Sequence, residues 1–301
     1  MSYRNRGLVI GCLVAFLCVA SSTTMASAGQ LTWRDDYAEA MNLAERQNKM
    51  LFIVFESAQK EAVQQNDGCS CKEYDNAHRW AIAAPEVQKK LKNFVRLVLP
   101  VDAEITLDGK KVKLLDVDAF SEMNGSQGMA IVDFAHKNPE YRGAIASMFP
   151  IYRAQPFTAD QIAVMLDLPP GTLTQRTLIY AVRTHPERPA STDGRALNDL
   201  AEEAESHSDY QAAIQLQGHH QWESRFQRIS SELPNGLMAT EVCAESWPHE
   251  GLLAAAIECV HSWRQSSGHW SAVRANQTCY GYDMKRGRNG IWYATGIFGR
   301  R

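Results

Sequence analysis

Two short stretches hold side chains whose types and spacing could do chemistry. The first, "GCSCKEYDN" (68–76), sets Cys69 and Cys71 on either side of Ser70. Thiols one residue apart could cycle between dithiol and disulfide, through a smaller and more strained ring than a two-residue spacing closes. The second, "SWRQSSGHWSAVRANQTCYGY" (262–282), sets Trp263, a Ser-Ser-Gly turn, His269 and Trp270 within eight positions. An imidazole titrates near about 6.5, so His269 suits metal ligation or proton transfer near neutral pH. The same ring could instead be a core residue with both nitrogens satisfied. What the chain places beside it decides. No serine or cysteine with a spaced base stands out as an activated nucleophile.

The elements that must position these groups are those of a globular protein. The chain has 301 residues, enough for two ordinary domains, with 45% hydrophobic and 22% charged residues. A formal charge of −3 gives no footprint for a sequence-independent grip on nucleic acid. Residues 1–28 read as a secretory signal: Arg4 and Arg6, an apolar run from Leu8 to Ala20, then the small-x-small site Ala26-Ser27-Ala28. An uncleaved anchor is the other reading of that segment. Cleavage predicts an exported protein (periplasmic, cell-envelope or extracellular) with no membrane span left. Of seven cysteines, Cys12 and Cys18 would leave with the signal. Cys69, Cys71, Cys243, Cys259 and Cys279 remain, an odd set in a compartment where thiols usually pair.

In the first half, Tyr37, Ala40, Met41 and Ala44 share one helical face. "MLFIVFE" (Met50–Glu56) reads as a buried strand, and 57–80 as a polar segment. A helix follows with Pro85 near its start, then strands over Phe94–Asp102 and Gly128–Phe134. The join, 151–171, is punctuated by prolines around a short helix from Ala159 to Leu168. From Thr172 the pattern is helical. "TLTQRTLIYAVRTHPE" is one helix, and Ala196–Gly218 a longer one with Leu197, Leu200, Ala204 and His207 near one face and Gly218 as its stop. A third, Leu252 to Gln265, sets Leu253, Ile257, Val260 and Trp263 on its buried stripe. "TCYGYDM" and "IWYATGIF" alternate as a hairpin around Asn289-Gly290.

The order helix, strand, cysteine-bearing segment, helix, strand over residues 30–150 resembles the thioredoxin-like fold. The departures are the C-x-C spacing in place of C-x-x-C, and glycine in "SQGMAIVDF" where that fold carries a proline. Residues 172–301 resemble the CAP superfamily, also called SCP-like, of secreted α-β-α sandwich domains. Four segments carry this likeness in family order: "LAEEAESHSDYQA" with "GHH…R", "ATEVCAESW", "ECVHSWRQSSGHW" and "YGYD…GIWYATGIFG". The predicted class is therefore α/β, a thioredoxin-like domain (30–150), a docked linker (151–171) and a CAP/SCP-like domain (172–301).

The resemblance implies a cleft holding His219, Glu241 and His269, with His220 the alternative to His219. Ser266 stands where many animal members have a second glutamate, and Val242 where the family has the asparagine of its Gly-Glu-Asn segment. Two such imidazoles, His219 and His269, could hold zinc or another divalent cation, with a carboxylate orienting one ring. His207 and His261 read as ordinary helix residues. A Cys243–Cys279 or Cys259–Cys279 bridge is open, as are three unpaired thiols. Function follows as non-enzymatic binding of an unidentified ligand, partner or envelope material. The alternative is an enzyme, either a metal-assisted hydrolase at the cleft or a thiol-disulfide oxidoreductase using Cys69 and Cys71.

Overall fold

The computed structural model describes residues 31–301 except 59–70, 108, 140, 152, 154 and 235, and except the side chains of 71–73. The segment 1–28, read above as a secretory signal, and Cys69 thus lie outside the described residues, as does the side chain of Cys71. Within that span the chain is mixed α/β. Helix α1 (Tyr37–Gln47) is capped by Asp36, whose carboxylate accepts from Glu39 N, and ends on Asn48 in the left-handed region. Strand β1 (Leu51–Glu56) is buried along nearly its whole length, as an apolar run with helices on both faces requires. Helices α2 (Cys71–Ile82) and α3 (Pro85–Leu91) precede β2 (Val95–Pro100). The polar segment therefore ends in a helix that its composition did not announce.

An exposed ribbon, β3 (Glu104–Leu107) with β4 (Lys110–Lys113), leads through 3-10 turns to β5 (Gly128–Val132) and β6 (Ile145–Pro150). The first sheet has the order β2-β1-β5-β6. Its β1 is parallel to β2 and antiparallel to β5, and β5 is antiparallel to β6.

Helix α4 spans Ala159–Met165, three residues shorter than its sequence pattern, with a Thr158/Gln161 capping box. Helix α5 (Leu173–Arg183) opens on a second box, Thr172/Gln175. Then come β7 (Arg195–Ala196), α6 (Asn198–Ile214), α7 (Trp222–Glu232), β8 (Met238–Glu245), α8 (Leu252–Gln265), α9 (Ser267–Arg274), β9 (Cys279–Arg286) and β10 (Trp292–Arg300). The second sheet runs β7-β9-β10-β8. Helices α5 and α8 pack on each other and on one face, where Tyr280, Tyr282, Met284 and Phe298 join their apolar cluster. Helix α6 covers the other face. It comes so close that a Cβ on Gly281 would lie 2.2 Å from the Leu200 carbonyl carbon.

Residues 31–301 form one compact unit. The largest apolar cluster joins Phe52, Met129 and Phe149 of the first sheet to Tyr180, Val260 and Trp263 of α5 and α8. Fully buried Arg176 fastens the join, donating to Ser147 Oγ (2.9 Å), Leu168 O (3.0 Å) and Pro169 O (2.7 Å). No helix among the described residues is long and apolar enough to cross a membrane.

Candidate functional site

Strand β8 supplies the centre of the site. It pairs with β10 so that Glu241 stands opposite Ile297 and Cys243 opposite Thr295. By strand alternation Val242 and Ala244 enter the α5/α8 cluster, while Glu241 and Cys243 face α6. A carboxylate on that buried face needs partners. Arg225 of α7 sets Nη2 2.6 Å from Glu241 Oε2, an ion pair whose angles are poor for a hydrogen bond. His219 lies 3.0 Å away and donates from Nδ1 to Oε1.

His219 is held by the helix before it. His207 of α6 donates from Nε2 to Gly218 O (2.9 Å), and Gln211 Oε1 accepts from Gly218 N (3.1 Å). Gln211 is itself fixed by donating to Thr295 Oγ1 at 3.0 Å. Two α6 side chains therefore grip both backbone groups of the residue before His219. Helix α6 ends at Ile214, on Gln215 in the left-handed region. Gly218 is accordingly not its stop but the anchor of the loop beyond it.

From the opposite side comes His269. Ser266 ends α8 and begins α9 without a longer turn, so the Ser-Ser-Gly segment is the first turn of a helix. Trp270 is buried, its indole donating to Glu187 Oε2 (3.0 Å), which leaves its neighbour His269 half-buried at the surface. The Nε2 atoms of His219 and His269 stand 3.1 Å apart, with ring centroids 5.3 Å apart. His220 turns away, its Nε2 donating to Leu216 O at 3.1 Å. The doubled histidine thus resolves to His219.

Burial pushes the Glu241 carboxyl up, but the hydrogen bond from His219, the close guanidinium of Arg225 and the nearby His207 outweigh it and hold it below the usual carboxylate range. His269 is lowered by burial and then by His219, against the pull of Glu241. Burial also lowers His207 and raises Cys243 well above an ordinary thiol. With His219 Nδ1–H committed to the carboxylate, its Nε2 lone pair faces outward. That nitrogen can take a proton shared with His269 or one side of a cation.

Two donor sets could hold a metal. Ligand atoms of His207, Glu241 and Cys243 lie within 4.8 Å of one another, and all three residues are buried. His207 Nε2 carries the proton given to Gly218 O, Glu241 is shared by Arg225 and His219, and burial raises the Cys243 thiol. This set fits a brace beneath His219 better than a cation cage. The pair His219/His269 fits a cation: two imidazoles on one tetrahedral zinc at about 2.0–2.1 Å stand about 3.4 Å apart, near the spacing here. Glu241 behind His219 is then the carboxylate that orients a ligating ring.

Sequence reasoning took His207 for an ordinary helix residue, and the structure places its Nε2 3.8 Å from Glu241 Oε1. Its place on the Leu200/Ala204 face was the available signal, since a histidine on a buried stripe needs a polar partner. Arg225 gave no such signal. Cys243, Cys259 and Cys279 are buried and unpaired, so neither suggested bridge forms. The Cys69/Cys71 pair falls outside the described residues.

No protein-family model matches the chain, and no curated protein matches it either.

Proposed function

We propose that the protein is an exported binding protein in which a thioredoxin-like N-terminal half accompanies a C-terminal domain of the CAP/SCP-like kind. The site is an open histidine pair able to take a divalent cation while engaging a ligand or envelope partner. The fold reading is supported by the first sheet's order, a parallel pair followed by two antiparallel strands. It is also supported by the helix–sheet–helix layering of residues 172–301. The function rests on one observation, the Nε2 atoms of His219 and His269 at 3.1 Å with Glu241 behind His219. His219 is the presenting ring, His207 and Gln211 its mount, and Glu241 the group that fixes its tautomer. A bound cation would supply a Lewis-acidic contact for an oxygen-bearing ligand.

Zinc titration of the purified mature chain tests this. One equivalent should bind, and His219→Ala and His269→Ala should each lose at least about tenfold in affinity. His220→Ala should bind as the parent does. Unchanged binding in both of the first two variants would remove the cation site.

A further inference from the structure

Helix α6 is one-sided in charge. It carries five carboxylates, Asp199, Glu202, Glu203, Glu205 and Asp209, and no lysine or arginine. Arg228 and Lys285 answer two of them, pairing with Glu203 and Glu205. Glu202 and Asp209 are exposed and form no ion pair among the described residues, Asp209 adding only to the field on Lys285. The last turn has no basic side chain either, so the negative end of the helix dipole is unanswered there.

The same face turns apolar toward its end. Glu202, Ser206, Asp209 and Ala213 recur at i, i+4, i+7 and i+11, opposite the buried stripe of Leu200, Ala204 and Gln211. Tyr210 and Ile214 flank that exposed line, and Leu216 follows in the loop. Seven large hydrophobic side chains are exposed among the described residues, and these three fall within one short stretch, 210–216. Single exposed apolar side chains need no explanation, whereas a contiguous set marks an interaction surface. The His220 ring ties the set together, its centroid 5.6 Å from that of Tyr210 and its Nε2 donating to Leu216 O.

Charge decides what covers such a face. A second copy related by a two-fold axis would set Glu202 and Asp209 against the same carboxylates, and anionic lipid headgroups would meet them with like charge. A cationic partner meets them with opposite charge. We propose that the solvent face of α6 docks a cationic amphipathic segment of a partner protein. Its apolar side chains lie on Tyr210, Ile214 and Leu216. Its lysines or arginines lie on Glu202, Asp209 and the carbonyl end of the helix. This inference does not rest on the cation site.

The test uses the purified mature chain, in chelator, and a fluorescently labelled leucine/lysine amphipathic helix followed by anisotropy. The control peptide has every lysine replaced by glutamate. Expected are saturable one-to-one binding of the first peptide, weakened by salt, and no binding of the second. Ile214→Ser and Leu216→Ser should each weaken binding about tenfold. Glu202→Lys combined with Asp209→Lys should weaken it at least about tenfold and flatten the salt dependence. Trp80→Ser and Leu107→Ser, exposed on α2 and β3, should bind as the parent does, and so should His269→Ala. The α6-face side chains are exposed, so these variants should melt with the parent. Equal binding of the glutamate peptide, normal binding in both α6-face serine variants, or equal losses in Trp80→Ser and Leu107→Ser would overturn the proposal. A dimer of the parent that Leu216→Ser dissolves would assign the face to a second copy and overturn it too. Loss in His269→Ala would move the contact to the histidine pair, with the same consequence. A lowered melting temperature in one serine variant would show that side chain to serve the fold; the other variant and the charge reversal then decide.

Discussion

Along β8, successive side chains point to opposite faces of the second sheet, and the two faces are filled differently. Val242 and Ala244 join Trp263, Tyr282 and Phe298 in hydrocarbon under α8. Glu241 and Cys243 face α6, where Thr295 binds Ser208 and Gln211, and Glu241 meets His219 and Arg225. One strand thus serves a non-directional apolar layer and a directional polar one. An apolar layer tolerates changes of shape so long as volume is kept. A buried polar layer does not, because each donor or acceptor left alone costs the full desolvation of that group. The face that holds the fold together and the face that holds the chemistry can therefore be disturbed separately.

The largest disruption should come from the apolar face. Trp263 is fully buried, and Trp263→Ala should cost about 3–5 kcal/mol in urea unfolding. Because its contacts lie under α8, zinc affinity of the folded variant should stay within about twofold of the parent. A larger change would mean that the two faces are coupled.

On the polar face, Arg225→Met should cost about 3 kcal/mol, since it leaves Glu241, with a side chain 1% exposed, short of its strongest positive partner. Unlike Trp263→Ala it should also alter zinc affinity, because Glu241 orients His219. A variant as stable as the parent would show that the ion pair is solvated and not part of the brace.

The third effect is smaller and depends on pH. Burial raises the Asp283 carboxyl to about 6, against the bonds from Thr174 Oγ1 and Met284 N and the charge of Lys285. A carboxyl whose folded pKa lies above its unfolded value favours folding while protonated. That advantage is complete below the unfolded pKa and is lost as pH rises through about 6. Stability should therefore fall by about 2–3 kcal/mol between pH 4 and pH 7 on account of this group. Asp283→Asn should flatten that slope in unfolding measurements across the range. Parallel slopes in parent and variant would place the charge elsewhere.

What could be read without coordinates was what repeats at short range. Helix α8 matches its predicted span, Leu252 to Gln265, because its apolar spacing carries the 3.6-residue period. The β9–β10 hairpin follows from strict alternation on either side of Asn289-Gly290, and Gly290 takes the positive φ (78°) that such a turn requires. Helix α2 was missed because its apolar residues are few among charged ones: the face carrying Tyr74, His78 and Ile82 is a clear stripe only once His78 counts as buried. His269 drew attention through its own stretch, whereas His219 and Glu241 were reached only through a resemblance in segment order and through no local rule.

The sequence by itself set the mixed α/β pattern and the residue types able to bind or titrate. Only the folded chain could choose His219 over His220, bring His269 within 3.1 Å of it, and add His207 and Arg225 around Glu241. The reason is that periodicity reports which face of an element is buried. The partner that a buried polar atom finds there depends on how distant elements are stacked, and no local spacing encodes that.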